Sequence, residues 1–121
     1  LKEAKKELIN QGVDEENIVL KEVPGAFELP LATQFMALKD NISSVISLGA
    51  IIQGDTPHFD FISSACIEGL KDVALKTNIP VICGVLTTNS VEQAIERSSP
   101  DKMNKGKEFA LSAMSTVDAL S

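Results

Sequence analysis

The chain has 121 residues, 44% of them hydrophobic, which suits one domain with a modest core. Its formal net charge of −6, with 11 Lys and Arg scattered rather than blocked, leaves no basic surface for a polyanion and argues against nucleic acid. No apolar run approaches the roughly 20 residues needed to span a bilayer, so no membrane partner is expected, and no signal-peptide pattern opens the chain.

The chain opens at Leu1 inside a helical pattern, with Leu1, Ala4 and Leu8 on one face and Gly12 as the C-terminal stop. A domain rarely begins mid-helix without an N-cap, so a further segment is expected upstream. Asp14 to Asn17 form a turn, and Ile18 begins a strand that runs to Val23 before Pro24-Gly25 breaks it. Leu29, Ala32, Phe35, Met36 and Leu38 then recur at helical spacing, with Pro30 tolerable in the first turn. Val45 to Ile52 reads as a second strand. Gly54 to Pro57 closes it and opens a long helix from about His58 to Lys76, with the stripe Phe59, Ile62, Cys66, Leu70 and Val73. Val81 to Leu86 is a third strand. Asn89, with Glu92 three residues on, predicts a capping box for a helix ending near Arg97, and the last helix spans Lys105 to Leu120.

This alternation predicts a layered α/β fold on a parallel sheet, a single domain over residues 1–121 with no repeats. Ligands of such sheets bind outside the carboxyl ends of the strands. Three loops leave those ends: Pro24 to Glu28, Gln53 to His58, and Thr87 to Ser90.

The second loop carries the most chemistry. Gly54 admits close backbone approach, Pro57 suits a first helical turn, and the exposed N–H groups, the Thr56 hydroxyl and the helix dipole make an anion site. The plain alternative is a strand–turn–helix with Asp55 or Thr56 as N-cap. His58 is the only histidine. A positive helix end disfavours imidazolium, so a neutral His58 able to accept a proton is expected. A lone histidine is more often structural, but this position at a strand's carboxyl end moves the balance toward function. Arg97 and Lys105 flank the connector between the last two helices and are either solvated charges or a phosphate clamp. Lys105 opens a helix, a poor place for a cation without an anionic partner. Phe27, in the first loop, is more readily core than ligand wall. The two cysteines, Cys66 and Cys83, lie in apolar stretches and form no CxxC pair; the plain reading is two buried thiols in a reducing, cytoplasmic compartment. No cysteine–histidine cluster, HExxH or P-loop pattern is present, so no metal is expected.

Four segments, VPGAFELP (Val23 to Pro30), GAIIQGDTPHFDFIS (Gly49 to Ser63), GVLTTNSVEQAIER (Gly84 to Arg97) and NKGKEFA (Asn104 to Ala110), together resemble the lumazine synthase family in order and spacing. The resemblance covers essentially the whole chain. It implies a three-layer αβα, flavodoxin-like fold with a parallel sheet, and condensation of 5-amino-6-(D-ribitylamino)uracil with 3,4-dihydroxy-2-butanone 4-phosphate to 6,7-dimethyl-8-ribityllumazine, without metal or organic cofactor. It also implies roles. His58 matches the proton-shuttling histidine. Gly54, Asp55 and Thr56 match the loop holding the butanone phosphate, and Arg97 its cationic clamp. Ala26, Phe27 and Glu28 match the stretch that grips the ribityl chain. Ala50, Ile51 and Ile52 match the edge that meets the pyrimidine ring, while Cys83, Arg97 and Lys105 match positions that reach the pocket from a neighbouring subunit. The implied partners are small-molecule substrates, further copies of the chain in a pentamer or a 60-subunit shell, and riboflavin synthase.

The sequence also departs from the family. A strand ending in a ring-stacking aromatic, which in the family precedes the first helix and lies inside the sheet, is absent from this chain. Cys83 stands where phenylalanine is usual, Gln53 replaces a usual Arg or Lys, and Asp101 adds negative charge to the connector. These departures motivate an alternative expectation, a non-catalytic homologue that binds lumazine or flavin or builds a shell. A flavodoxin-like flavin carrier is a more distant one.

Overall fold

The computed structural model describes residues 1–53, 58–100 and 103–121. Its elements follow the chemical punctuation of the chain. Helix α1 (Lys2–Asn10) ends where Gly12 takes φ +99°, a left-handed conformation open to glycine at little cost. There the Gly12 N–H donates to the Ile9 carbonyl and the Val13 N–H to that of Leu8, both at 3.0 Å, so two orphan carbonyls of the last turn are satisfied. Helix α2 (Leu29–Ala37) carries Pro30 in its first turn, where no intrahelical N–H is missed. Strand β1 (Val45–Ile52) and strand β2 (Val81–Thr88) are joined through helix α3 (His58–Thr77) and pair in parallel, Val45 opposite Val81 through Ile52 opposite Thr88. Helices α4 (Val91–Ser98) and α5 (Lys105–Leu120) complete the chain.

The alternation of strand side chains sorts these helices into layers. Ser47 faces α2, where its hydroxyl meets that of Thr33 at 2.7 Å, both residues being 3% exposed. Gly49 abuts Leu29 on the same side. Gly84, paired with Leu48 on the opposite side, lies against Phe109 of α5. Helices α2 and α3 therefore cover one face of the sheet, while α5, with α1 packed on it, covers the other. This is a three-layer α/β arrangement on a parallel sheet, of flavodoxin-like kind. Its best-buried side chains are Cys66 and Leu70 on α3, with Val73 one turn further and Ala110 and Ala113 on α5.

Several expectations are corrected. Ile18 to Val23 is not a strand: Val19 and Leu20 are more than half exposed, and no described segment pairs with them. β-branched composition marks a segment that can join a sheet, but a strand exists only with a ladder partner. The inward face of α2 is not Phe35 and Leu38, each 66% exposed, but Thr33 and Ala37. Small residues there let the helix approach the sheet. Helix α4 is capped one residue later than expected: Ser90, not Asn89, is its N-cap, its hydroxyl accepting from the Gln93 N–H. The Gln93 side chain reaches back to the Asn89 N–H at 2.9 Å, so Gln93, not Glu92, is the reciprocal partner. Leu1, expected on the inner face of α1, is 57% exposed, and Glu7 is buried instead, its carboxylate accepting from Gln11.

Candidate active site

The carboxyl ends of β1 and β2 lie side by side, because parallel pairing brings Ile52 opposite Thr88. The ladder runs one step further: the Gln53 N–H donates to the Thr88 carbonyl at 2.8 Å. Gln53 thereby leads away from the sheet edge-on to β2. Gly54, Asp55 and Thr56, expected to hold an anion, lie outside the described residues, as do Pro57, Asp101 and Lys102. His58 is the first residue of α3 and is exposed.

Arg97 comes back to the same strand end from the last turn of α4. Its side chain is only partly exposed, and one Nη1–H donates to the Thr87 carbonyl at 3.0 Å. A guanidinium has five N–H donors in a fixed plane. Anchoring one of them on main chain restricts the rotamer and aims the rest, so less freedom is lost when an anion is gripped. The sequence marks Thr87 only as the start of the third strand-end loop, with no role of its own. The available signal was a pair of threonines closing an apolar strand just before a Ser-capped helix.

The remaining expected residues divide. Ala26, Phe27 and Glu28 form a single 3-10 turn leading directly into α2. Phe27 is 68% exposed, which corrects the expectation of a core residue. In β1, Ala50 and Ile52 are exposed, while Ile51 is buried on the α2–α3 side. Lys105 already has an anionic partner: its ammonium meets the Glu108 carboxylate one turn on at 2.9 Å. That pair answers the misfit of a cation at a helix start, which therefore no longer points to a phosphate. Asn104 caps the same helix from the left-handed region, φ 44°, its side chain accepting from Lys107 N–H.

The cysteines differ from one another. Cys66 is fully buried on α3, where burial foremost and the neighbouring Cys83 second raise its thiol pKa above the ordinary value. Cys83 is exposed, correcting the expectation of two buried thiols. It sits on β2 opposite Ser47, with Cys66 of α3 as a neighbour.

An open cavity of about 380 Å³ lies between the first turns of α3 and the end of β2, lined by Phe59, Asp60, Ser63, Ser64, Ile67, Glu68 and Thr87. The Ser63 hydroxyl is buried there without a hydrogen-bond partner among the described residues. None of the residues given a site role from the sequence lines it; Phe59 of the expected α3 stripe and Thr87 of the third strand-end loop do.

Among the described residues, the end of β2 holds the anchored Arg97, while Phe27 and His58, the sole histidine, are exposed. The model of the 6,7-dimethyl-8-ribityllumazine synthase family matches residues 1–121, the entire sequence. The chain belongs to that family. Lumazine synthases are transferases of riboflavin biosynthesis. No described helix of this lumazine synthase family member is long and apolar enough to cross a membrane.

Proposed function

We propose that the chain condenses 5-amino-6-(D-ribitylamino)uracil with 3,4-dihydroxy-2-butanone 4-phosphate, forming 6,7-dimethyl-8-ribityllumazine and releasing inorganic phosphate and water. The observation that carries this reading is the family match over the entire chain; the Arg97 guanidinium held at the carboxyl end of β2 is consistent with it.

In this reading Arg97 and residues Gly54, Asp55 and Thr56 hold the butanone phosphate, the Thr56 hydroxyl and main-chain N–H groups meeting its oxygens. Phe27 and Glu28 flank the ribityl chain, and Ala50 to Ile52 present main-chain groups to the pyrimidine. One amine attacks the butanone carbonyl, the phosphate leaves, and the ring closes with loss of water. His58, exposed at the start of α3, takes and returns the protons. Holding two reactants in line is worth up to about 7–11 kcal/mol of barrier in favourable cases, more than the roughly 10²–10⁴-fold typical of a proton shuttle. Positioning is therefore the main contribution and His58 the smaller one.

The reading includes assembly. Phe27, Leu31, Phe35 and Leu38 recur along one side of the Ala26 turn and α2, each more than 60% exposed. A run of large apolar side chains of that kind is costly to leave in water. It supports burial against further copies of the chain, a pentamer or a 60-subunit shell, in which Cys83, Arg97 and Lys105 serve a neighbour's pocket. Association with riboflavin synthase belongs to the same reading.

A second reading, a non-catalytic homologue that binds lumazine or flavin, is favoured by one observation: the exposed position 83 carries a small thiol in place of an aromatic. One assay separates the two. The protein is mixed with both substrates, and lumazine fluorescence is followed against the uncatalysed background. Turnover supports the synthase; tight product binding without turnover supports the homologue.

A further inference from the structure

We infer that Thr88 is a positioning residue that ties Gln53, which follows β1, and the arginine carried by α4 to the end of β2. The inference rests on the functional reading above. Thr88 is the last residue of β2 and only 3% exposed, yet polar. Each of its polar groups serves a different element. Its carbonyl accepts from the Gln53 N–H at 2.8 Å, holding the residue that follows β1 against β2. Its hydroxyl donates to the Ser90 carbonyl at 2.9 Å. That carbonyl also accepts the first intrahelical bond of α4, from the Ala94 N–H at 3.3 Å. Helix α4 in turn carries Arg97, whose Nη1–H returns to the carbonyl of Thr87, the residue beside Thr88.

The bonds therefore close a ring: strand end, Thr88 hydroxyl, Ser90 carbonyl, first turn of α4, Arg97, strand end. Two further bonds brace the two-residue turn inside it, Ser90 Oγ with the Gln93 N–H and Gln93 Oε1 with the Asn89 N–H. A ring of this kind fixes the angle of α4 against β2, and with it the plane of the guanidinium. Opening it at Thr88 leaves Arg97 with its charge and its helix but without a defined direction. Contacts to an anion depend steeply on that direction, because bidentate geometry tolerates little error. Contacts to the pyrimidine, made from β1 and the Ala26 turn, do not pass through this ring. The same logic holds whether Arg97 completes the pocket of its own chain or of a neighbour.

The experiment compares wild type, Thr88→Val and Thr88→Ser. Valine keeps the shape and removes the hydroxyl; serine keeps the hydroxyl. For Thr88→Val the KM for the butanone phosphate should rise about tenfold, the scale of one lost or misaligned charge-assisted contact. The KM for the pyrimidine should stay within about twofold, and Thr88→Ser should restore the wild-type value. Calorimetric titration with inorganic phosphate should show the same weakening in Thr88→Val without turnover entering the readout. An equal loss for both substrates, or unchanged phosphate binding, overturns the inference. If Thr88→Val does not fold, Gln93→Ala opens the brace from the helix side, and the same selective rise decides the matter. A wild-type protein that binds phosphate but makes no lumazine refutes the functional reading instead, and the calorimetric comparison still decides Thr88.

Discussion

At the scale of single residues, Arg97 and Cys83 are informative because the structure gives them different surroundings from those their sequence neighbours suggest. Arg97 lies near the end of a polar helix, where most arginines are solvated, yet its guanidinium is tied to the Thr87 carbonyl. Arg97→Ala should raise the KM for the butanone phosphate at least tenfold, the usual cost of deleting a charge-assisted bond being about 1.5–3 kcal/mol. It should leave the pyrimidine KM nearly unchanged, and steady-state kinetics with each substrate varied in turn checks this. Equal losses would assign Arg97 to the fold. Cys83 is exposed on a strand whose neighbouring positions are largely covered. Cys83→Phe should therefore leave the melting temperature close to that of the parent and tighten lumazine binding through ring contact. A steep fall in stability with no gain in affinity, read by thermal melts and fluorescence titration, would put the side chain in the core.

Between elements, the layers meet closely and the consequences are measurable. A methyl group added at Gly84 would stand 2.6 Å from Leu48 Cδ2 and 2.9 Å from Phe109 Cδ2, with the Ser47 carbonyl 3.1 Å away. Gly84→Ala should destabilise by about 1–3 kcal/mol through overpacking of β2 against α5. Denaturant unfolding gives the value, and a change under about 0.5 kcal/mol would mean that the two layers separate easily. On the opposite face, Cys66 sets an alkaline limit. Burial, and next to it Cys83, raise its pKa in the folded state. The folded protein then keeps a proton that the unfolded chain has already lost, so stability falls as pH climbs from about 8.5, the ordinary thiol value, through the raised one. Cys66→Ala should remove that part of the alkaline slope. Identical slopes for the two proteins between neutral and strongly alkaline pH would show that other groups cause it.

For the whole molecule, the exposed apolar surface matters most. The row Phe27, Leu31, Phe35, Leu38 is joined on α3 by Phe61 and Leu75, each more than 70% exposed. The protein should therefore be active only as an assembly. Light scattering and sedimentation at assay concentration test this beside turnover. An active monomer would sink the shared pocket, while an active pentamer would sink only the shell. Replacing Phe35 by Ser, far from the strand ends in sequence, should dissociate the assembly and abolish activity together.

The sequence alone determined what depends on neighbours a few residues apart. Apolar spacing located five helices and two paired strands to within a residue or two. Gly12 and Pro30 marked a helix end and a helix start through their own backbone geometry. Four segments in register led to the family that the chain-long match then showed. Tertiary structure decided everything relational. Ile18 to Val23 has strand composition but no ladder, because hydrogen bonds need a second segment at the right distance. Phe35 and Leu38 point outward while Thr33 points in, because a hydroxyl 2.7 Å from that of Ser47 is satisfied when buried and a small side chain lets helix and sheet close together. Lys105 lost its functional hint to Glu108, and Thr88 acquired one, through bonds whose partners no periodicity identifies. Local periodicity reports which face of an element prefers to leave water; which partner meets that face, and which polar group it must satisfy there, is settled only when the layers come together.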